Sequence, residues 1–87
     1  MALNVKVVSA TREIWSGEAT QVVANTVEGE IGILTGHQPF LALLAKGEVR
    51  VTTDGGKKVT VNADDGFLSV DHDTVTIVAG DAVLVAA

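Results

Sequence analysis

The chain has 87 residues, a length that allows one domain, 1–87. Its net charge is −5, its largest basic cluster is the pair Lys57-Lys58, and it has no tyrosine. Those features speak against nucleic-acid binding and against a basic amphipathic membrane anchor, which need cationic grooves, stacking platforms or a basic face. There is no cysteine, which excludes disulfides and thiolate metal sites. No apolar run approaches the ~18 residues that would cross a bilayer as a helix. Residues 1–8 lack the basic and apolar regions of a signal peptide, so the chain reads as a soluble, cytosolic-side protein.

Hydrophobic residues make up 47% of the chain, but the aromatic ones are only Trp15, Phe40 and Phe67. Valine is the commonest residue. Its stiff, branched side chain suits a pleated sheet, so the composition predicts an all-β domain with a thin aliphatic core. A core of that size leaves modest net stability, which a partner surface would supplement.

In chain order, residues 3–7 alternate apolar and polar as a half-buried strand does. Polar residues 9–13 turn the chain, Ile14-Trp15 forms a short strand, and Ser16-Gly17 stops it. Trp15 reads as a core or sheet-face ring rather than a binding residue. Residues 19–26 form a strand with Val22, Ala24 and Val27 near the core. Glu28-Gly29 turns it, and residues 31–34 return it. Residues 40–45 fit a short helix by the spacing of positions 40, 41, 44 and 45, yet six residues is short for one, and an extended segment is favoured. The runs 49–52 and 59–62 alternate about Asp54-Gly55-Gly56-Lys57, which predicts a hairpin. Asp64-Asp65-Gly66 then turns into a strand at 67–70, Asp71-His72-Asp73 into one at 75–79, and Gly80-Asp81 into a last one at 82–85. About nine to ten short strands with turn residues between them predict a flattened β-sandwich or barrel.

The stretch from Glu28 to Phe40 stands out. It holds three of the nine glycines, the only proline and one of the two histidines. An apolar run ends in a loop that Gly36 lets bend and Pro39 stiffens. Loops of this kind on a stiff scaffold carry function. Gly29, Glu30, Ile31, Gly32, Ile33, Leu34, Gly36, His37 and Pro39 resemble the signature of the epsilon subunit of F-type ATP synthases, roughly Gly-Glu-Ile-Gly-Ile-Leu-Pro-Gly-His-x-Pro-Leu. Thr35 replaces the usual proline, Phe40 the usual leucine, and Asp65 departs from a usual Gly-Gly-Phe. Val8-Ser9-Ala10, Ile14-Trp15-Ser16-Gly17 and the alanine-rich end extend the likeness over essentially the whole chain. The sandwich portion of the longer members is covered, and their C-terminal helical hairpin is not. A naturally short form and a piece of a longer chain read the same at this point.

The resemblance implies a non-catalytic rotor subunit at the cytoplasmic face of the membrane, without a cofactor. It would link the gamma subunit to the c-ring and couple proton flow to ATP synthesis. The hairpin gives longer relatives inhibition of hydrolysis and, in some, nucleotide sensing, so neither is expected here. Glu30, Ile31, Gly32, His37, Gln38 and Pro39 are the candidate partner-facing residues, with Ile31 and Phe40 adding apolar area at the rim. Glu30 and His37 are poor core residues that need no special backbone, which favours contact over geometry as their reason.

Enzymatic readings fare worse on the residues. There is no Gly-x-Ser-x-Gly elbow, phosphate loop or dinucleotide fingerprint. Glu30 and His37 could form a catalytic pair only if the loop folds back. The acidic turns at 64–65 and 71–73 lie at opposite ends of a strand roughly 17 Å long, too far apart to share one metal. A stand-alone β-sandwich adaptor or small-ligand carrier is the main alternative, and it would show a deep apolar pocket lined by Trp15 or Phe67.

Overall fold

The computed structural model describes residues 2–36, 38–53 and 55–86. Those residues form β1 (Leu3–Ser9), β2 (Glu13–Thr26), β3 (Gly29–Leu34), β4 (Phe40–Leu44), β5 (Gly47–Thr53), β6 (Lys58–Asp71) and β7 (Thr74–Ala86), with no helix among them. The all-β sandwich expected from composition is present, and residues 40–44 are extended, not helical.

The strands number seven because three expected pairs are continuous. β2 joins Ile14-Trp15 to 19–26, β6 joins 59–62 to 67–70, and β7 joins 75–79 to 82–85. In each, the inward-facing positions change parity partway along. β2 buries Ala19 and then Val22, Ala24 and Thr26; β6 buries Val59, Val61 and Ala63 and then Leu68 and Val70; β7 buries Val75, Ile77 and Ala79 and then Ala82. Side chains alternate strictly across a strand, so a change of parity marks a bend; β6 and β7 keep their mutual register through theirs, with Asp64 opposite Asp81 and Gly66 opposite Ala79, so the two strands turn together. The polar clusters that suggested turns at 64–66 and 80–81 are these bends.

The bends let single strands serve both layers of the sandwich. β6 pairs with β5 through 58–63 and with β4 through 66–70, and β7 accompanies it on both sides of the bend. β2 pairs with β1 through its first half and with β3 and β5 through its second. β1 lies parallel to β7. The pairings β1–β7–β6–β5–β2–β1 therefore close on themselves. β3 flanks β2, while β4 runs along β6 and meets β2 at Thr26 and Leu44.

Inside lies the aliphatic core that the valine content predicts. Its largest fully buried side chains are leucine, isoleucine and valine, with Trp15, Ile14, Ile31 and Phe40 packed at its margins. Trp15 lies over Gly17, where an added Cβ would come within 2.9 Å of the ring. Val27, expected near the core, is exposed instead, because the β2–β3 turn falls at Val27-Glu28, one residue early. The Thr26 hydroxyl fixes that turn, accepting from the Glu28 N–H and donating to the Gly29 carbonyl at 2.7 Å. The 5–6 hairpin forms as expected, with Thr53 N–H donating to the Lys57 carbonyl at 2.8 Å. His72 and Asp73 make a two-residue turn with φ of 48° and 60°, the mirror-image geometry that suits strand twist.

The tightest point is the shared bend of β6 and β7. A Cβ on Gly66 would stand 1.9 Å from the Val78 carbonyl oxygen and 2.6 Å from Ala79 Cα, both backbone atoms that cannot move aside. Gly66→Ala is expected to cost about 2–4 kcal/mol in urea unfolding, whereas Gly55→Ala, with open space around it, stays within about 0.5 kcal/mol.

Candidate functional site: the β3 strip and its neighbours

The candidate residues follow β3 and the loop beyond it. Strand alternation turns Ile33 and Ile31 inward, the first fully buried and the second half-buried against the core. Glu30, Gly32 and Leu34 take the outer face. Past the strand, Gln38 and Pro39 are exposed, and His37 lies outside the described residues. Glu30 and Leu34 are four residues apart along the strand, about 13 Å. Of the candidates, Glu30 and Gly32 therefore share the outer face of β3, Ile31 faces the core, and Gln38 and Pro39 lie in the loop beyond the strand.

Glu30 does have a partner within the chain. Arg50 on β5 reaches over β2, and its guanidinium donates to Glu30 Oε2 at 2.7 Å. Its neighbour in register on β2 is Val23, whose partner on β3 is Gly32, so the glycine leaves the row without a side chain there. Both ends of the ion pair are about half exposed, so it orders the outer face more than it stabilises the fold.

At the far end, Gly36 adopts φ of 82° and its N–H donates to Asp73 Oδ1 at 2.8 Å. The Asp73 carbonyl accepts from Asn4 N–H at 2.8 Å. The loop after β3, the β6–β7 turn and the start of β1 therefore meet at one residue. In the sequence Asp73 is merely one acid in a polar turn; its link to Gly36 crosses 37 positions and has no local signal.

The apolar rim expected from Ile31 and Phe40 is displaced. Both pack against the core. Exposed apolar side chains stand instead at Leu41 (69% exposed), Leu43 (61%), Val27 (64%) and Phe67 (39%), at Leu34 on the outer face of β3 itself, and at Val83, Leu84 and Val85 on β7. Leu43 is in register with Phe67, and its carbonyl accepts from Val27 N–H at 3.0 Å, so these residues are neighbours. Strand periodicity, which puts 41 and 43 on one face and 40, 42 and 44 on the other, is the signal that would have found them.

Among the described residues, three of the open clefts are lined chiefly by 26–28 with 41–43, by 46–47 with 62–64, 81 and 83, and by 12–14 with 84. Neither Trp15 nor Phe67 lines any of the three, so the deep pocket expected of a carrier is not among them. Among the described residues no three acidic or histidine side chains converge as metal ligands, and no helix is long and apolar enough to cross a membrane.

Fold and site together define a small β-sandwich with its distinctive residues on an outer strand and loop, an interaction module in form. The β-sandwich domain of the ATP synthase delta/epsilon chain matches residues 2–85, and the chain belongs to that family. It is 59% identical over 80 residues to an ATP synthase epsilon chain from Micrococcus luteus, covering 92% of this chain and 88% of that one. It is 48% identical to one from Frankia casuarinae, covering 97% and 99%. Others are longer: the Cutibacterium acnes epsilon chain is 45% identical, with only 49% of its length matched. Among solved structures, a chain of the Euglena gracilis mitochondrial ATP synthase (OSCP/F1/c-ring, rotational state 1) superposes with a TM-score of 0.89 at 28% identity. That match covers 95% of this chain and 53% of the other, so this chain spans about half its length.

A double-mutant cycle on Glu30→Ala and Arg50→Ala should give a coupling of about 0.2–1 kcal/mol that fades in ~1 M salt.

Proposed function

We propose that the chain is a non-catalytic rotor subunit of a proton-translocating F-type ATP synthase, held at the cytoplasmic face of the membrane between gamma and the c-ring. The observation that carries this reading is the family match, which takes in residues 2–85. The likeness to a chain in an F1/c-ring assembly supports it.

Two surfaces suit two attachments. Permanent interfaces are more apolar than transient ones. The strip of Val27, Leu41, Leu43 and Phe67 is therefore assigned to gamma. The line of Glu30, Gly32, Gln38 and Pro39, with His37 by its place in the sequence, is assigned to the polar loops of the c-ring. Ile31 supports that line from beneath. The subunit's work is mechanical: it holds the ring and gamma in fixed register while proton flow turns them.

Leu41→Asp combined with Leu43→Asp should lower capture of gamma by at least about tenfold while leaving the melting curve close to wild type, since both side chains are exposed. Capture equal to wild type would remove gamma from this face. His37→Ala with Glu30→Ala should weaken retention on detergent-solubilised c-ring and leave gamma capture intact. Calorimetry of this chain with ATP should show no tight, stoichiometric binding.

A further inference from the structure

The β3 strip ends in a turn whose direction is held from elsewhere in the chain. β3 flanks the sandwich, and among the described residues its ladder runs to β2 alone. A loop leaving such a strand is free to swing unless something beyond the ladder fixes it. Gly36 has φ of 82°, which turns the chain beyond it off the path an ordinary extended residue would take, and its N–H donates to Asp73 Oδ1 at 2.8 Å. Asp73 is itself held on both sides. Its own φ of 60° belongs to the two-residue β6–β7 turn, and its carbonyl is bonded to Asn4 at the start of β1. The carboxylate is thus anchored in the closed part of the sheet and reaches outward to the loop. A carboxylate accepting a backbone N–H makes one of the stronger hydrogen bonds available to an otherwise unpaired amide.

We propose that Asp73 is a positioning residue for the partner-facing end of the molecule. It ties the turn at Gly36 to the β6–β7 hairpin, so that Gln38, Pro39 and the 91%-exposed His72 side chain form one ridge from two distant segments of sequence. The contact surface therefore extends beyond the residues of the family signature. The inference rests on the reading that this end meets the ring, and its test separates the two.

The comparison is Asp73→Asn with Asp73→Gly in the full chain. Both residues tolerate a left-handed backbone, so neither adds strain at φ 60°, but only asparagine keeps an acceptor at Oδ1. Hydrogen exchange at the Gly36 amide, read by NMR, should be about tenfold faster in Asp73→Gly. In Asp73→Asn it should stay within about threefold of wild type, since a neutral acceptor is weaker than a charged one. Urea midpoints measured alongside separate this local loosening from global destabilisation. Retention on detergent-solubilised c-ring should fall in Asp73→Gly and be largely restored in Asp73→Asn. Equal Gly36 exchange in the two variants, or a change that merely tracks the urea midpoint, overturns the positioning role. Faster Gly36 exchange with unchanged ring retention leaves the tie in place but removes this end from the contact, and the proposed ridge fails with it.

Discussion

Everything in this molecule depends on one backbone crossing, where β6 and β7 bend together at Gly66. The Val78 carbonyl lies where any other residue would carry its Cβ. On either side of that point both strands change which parity faces inward, from Val59, Val61 and Ala63 to Leu68 and Val70 in one, and from Val75, Ile77 and Ala79 to Ala82 in the other. Without the crossing β6 would turn Leu68 and Val70 outward, and β7 would turn out Ala82. With it, two strands line both layers, and a chain of this length can close a core without any fully buried aromatic side chain. Valine suits that arrangement, because its restricted torsion loses little freedom when it packs on a pleated surface.

Alternation made most of this fold legible before any coordinates. The residues at 3–7, 49–52, 59–62 and 67–70 announce their own strands, and the glycine-rich turn at 54–57 announces its hairpin. Continuity through the bends was not legible. Asp64-Asp65-Gly66 has the composition of a turn, and a bend within a paired strand uses the same residue types for the same conformational reason: Asp65 sits at φ 58°. Composition marks where the chain departs from regular geometry without saying whether it reverses. Val27 shows the finer version of the same limit. Its hydrophobicity placed it inside, and a one-residue shift of the turn put it outside.

The site was legible as a stretch of chain but not as a surface. Glycine and proline spacing identified the strand and loop at 28–40, and the structure then divided those residues by the alternation of β3, Ile31 inward and Glu30 and Gly32 outward. What completes the surface comes from far away in sequence. Arg50 reaches Glu30 across β2, and Asp73 accepts from Gly36 over a separation of 37 positions in sequence. Such contacts arise from strand order, which no local pattern encodes. Their energies also differ in kind. The exposed Arg50–Glu30 pair is worth a fraction of a typical packed contact, whereas Leu41 and Leu43 offer apolar area whose removal from water favours docking at ~25 cal/mol per Å².

The strand pairings set the candidate residues apart from the closed body of the sheet. The path β1–β7–β6–β5–β2 closes on itself, so displacing any of these strands breaks hydrogen bonds along two ladders at once. β3 and β4 stand outside that path, one flanking β2 and the other running along β6. They are consecutive in sequence, and the family-like stretch is β3 together with the loop that joins them. On the proposed function, a part that passes force between two neighbours needs a body that does not shear and margins that adhere. The closed path supplies the first, with its ladder bonds and dense valine packing resisting distortion. The two flanking strands would supply the second, β3 with Glu30, Gly32 and Leu34 outward and β4 with Leu41 and Leu43 outward. The division follows from topology: strands with both edges paired have only their faces to offer, so a second chain finds both an edge and an outer face at β3 and β4.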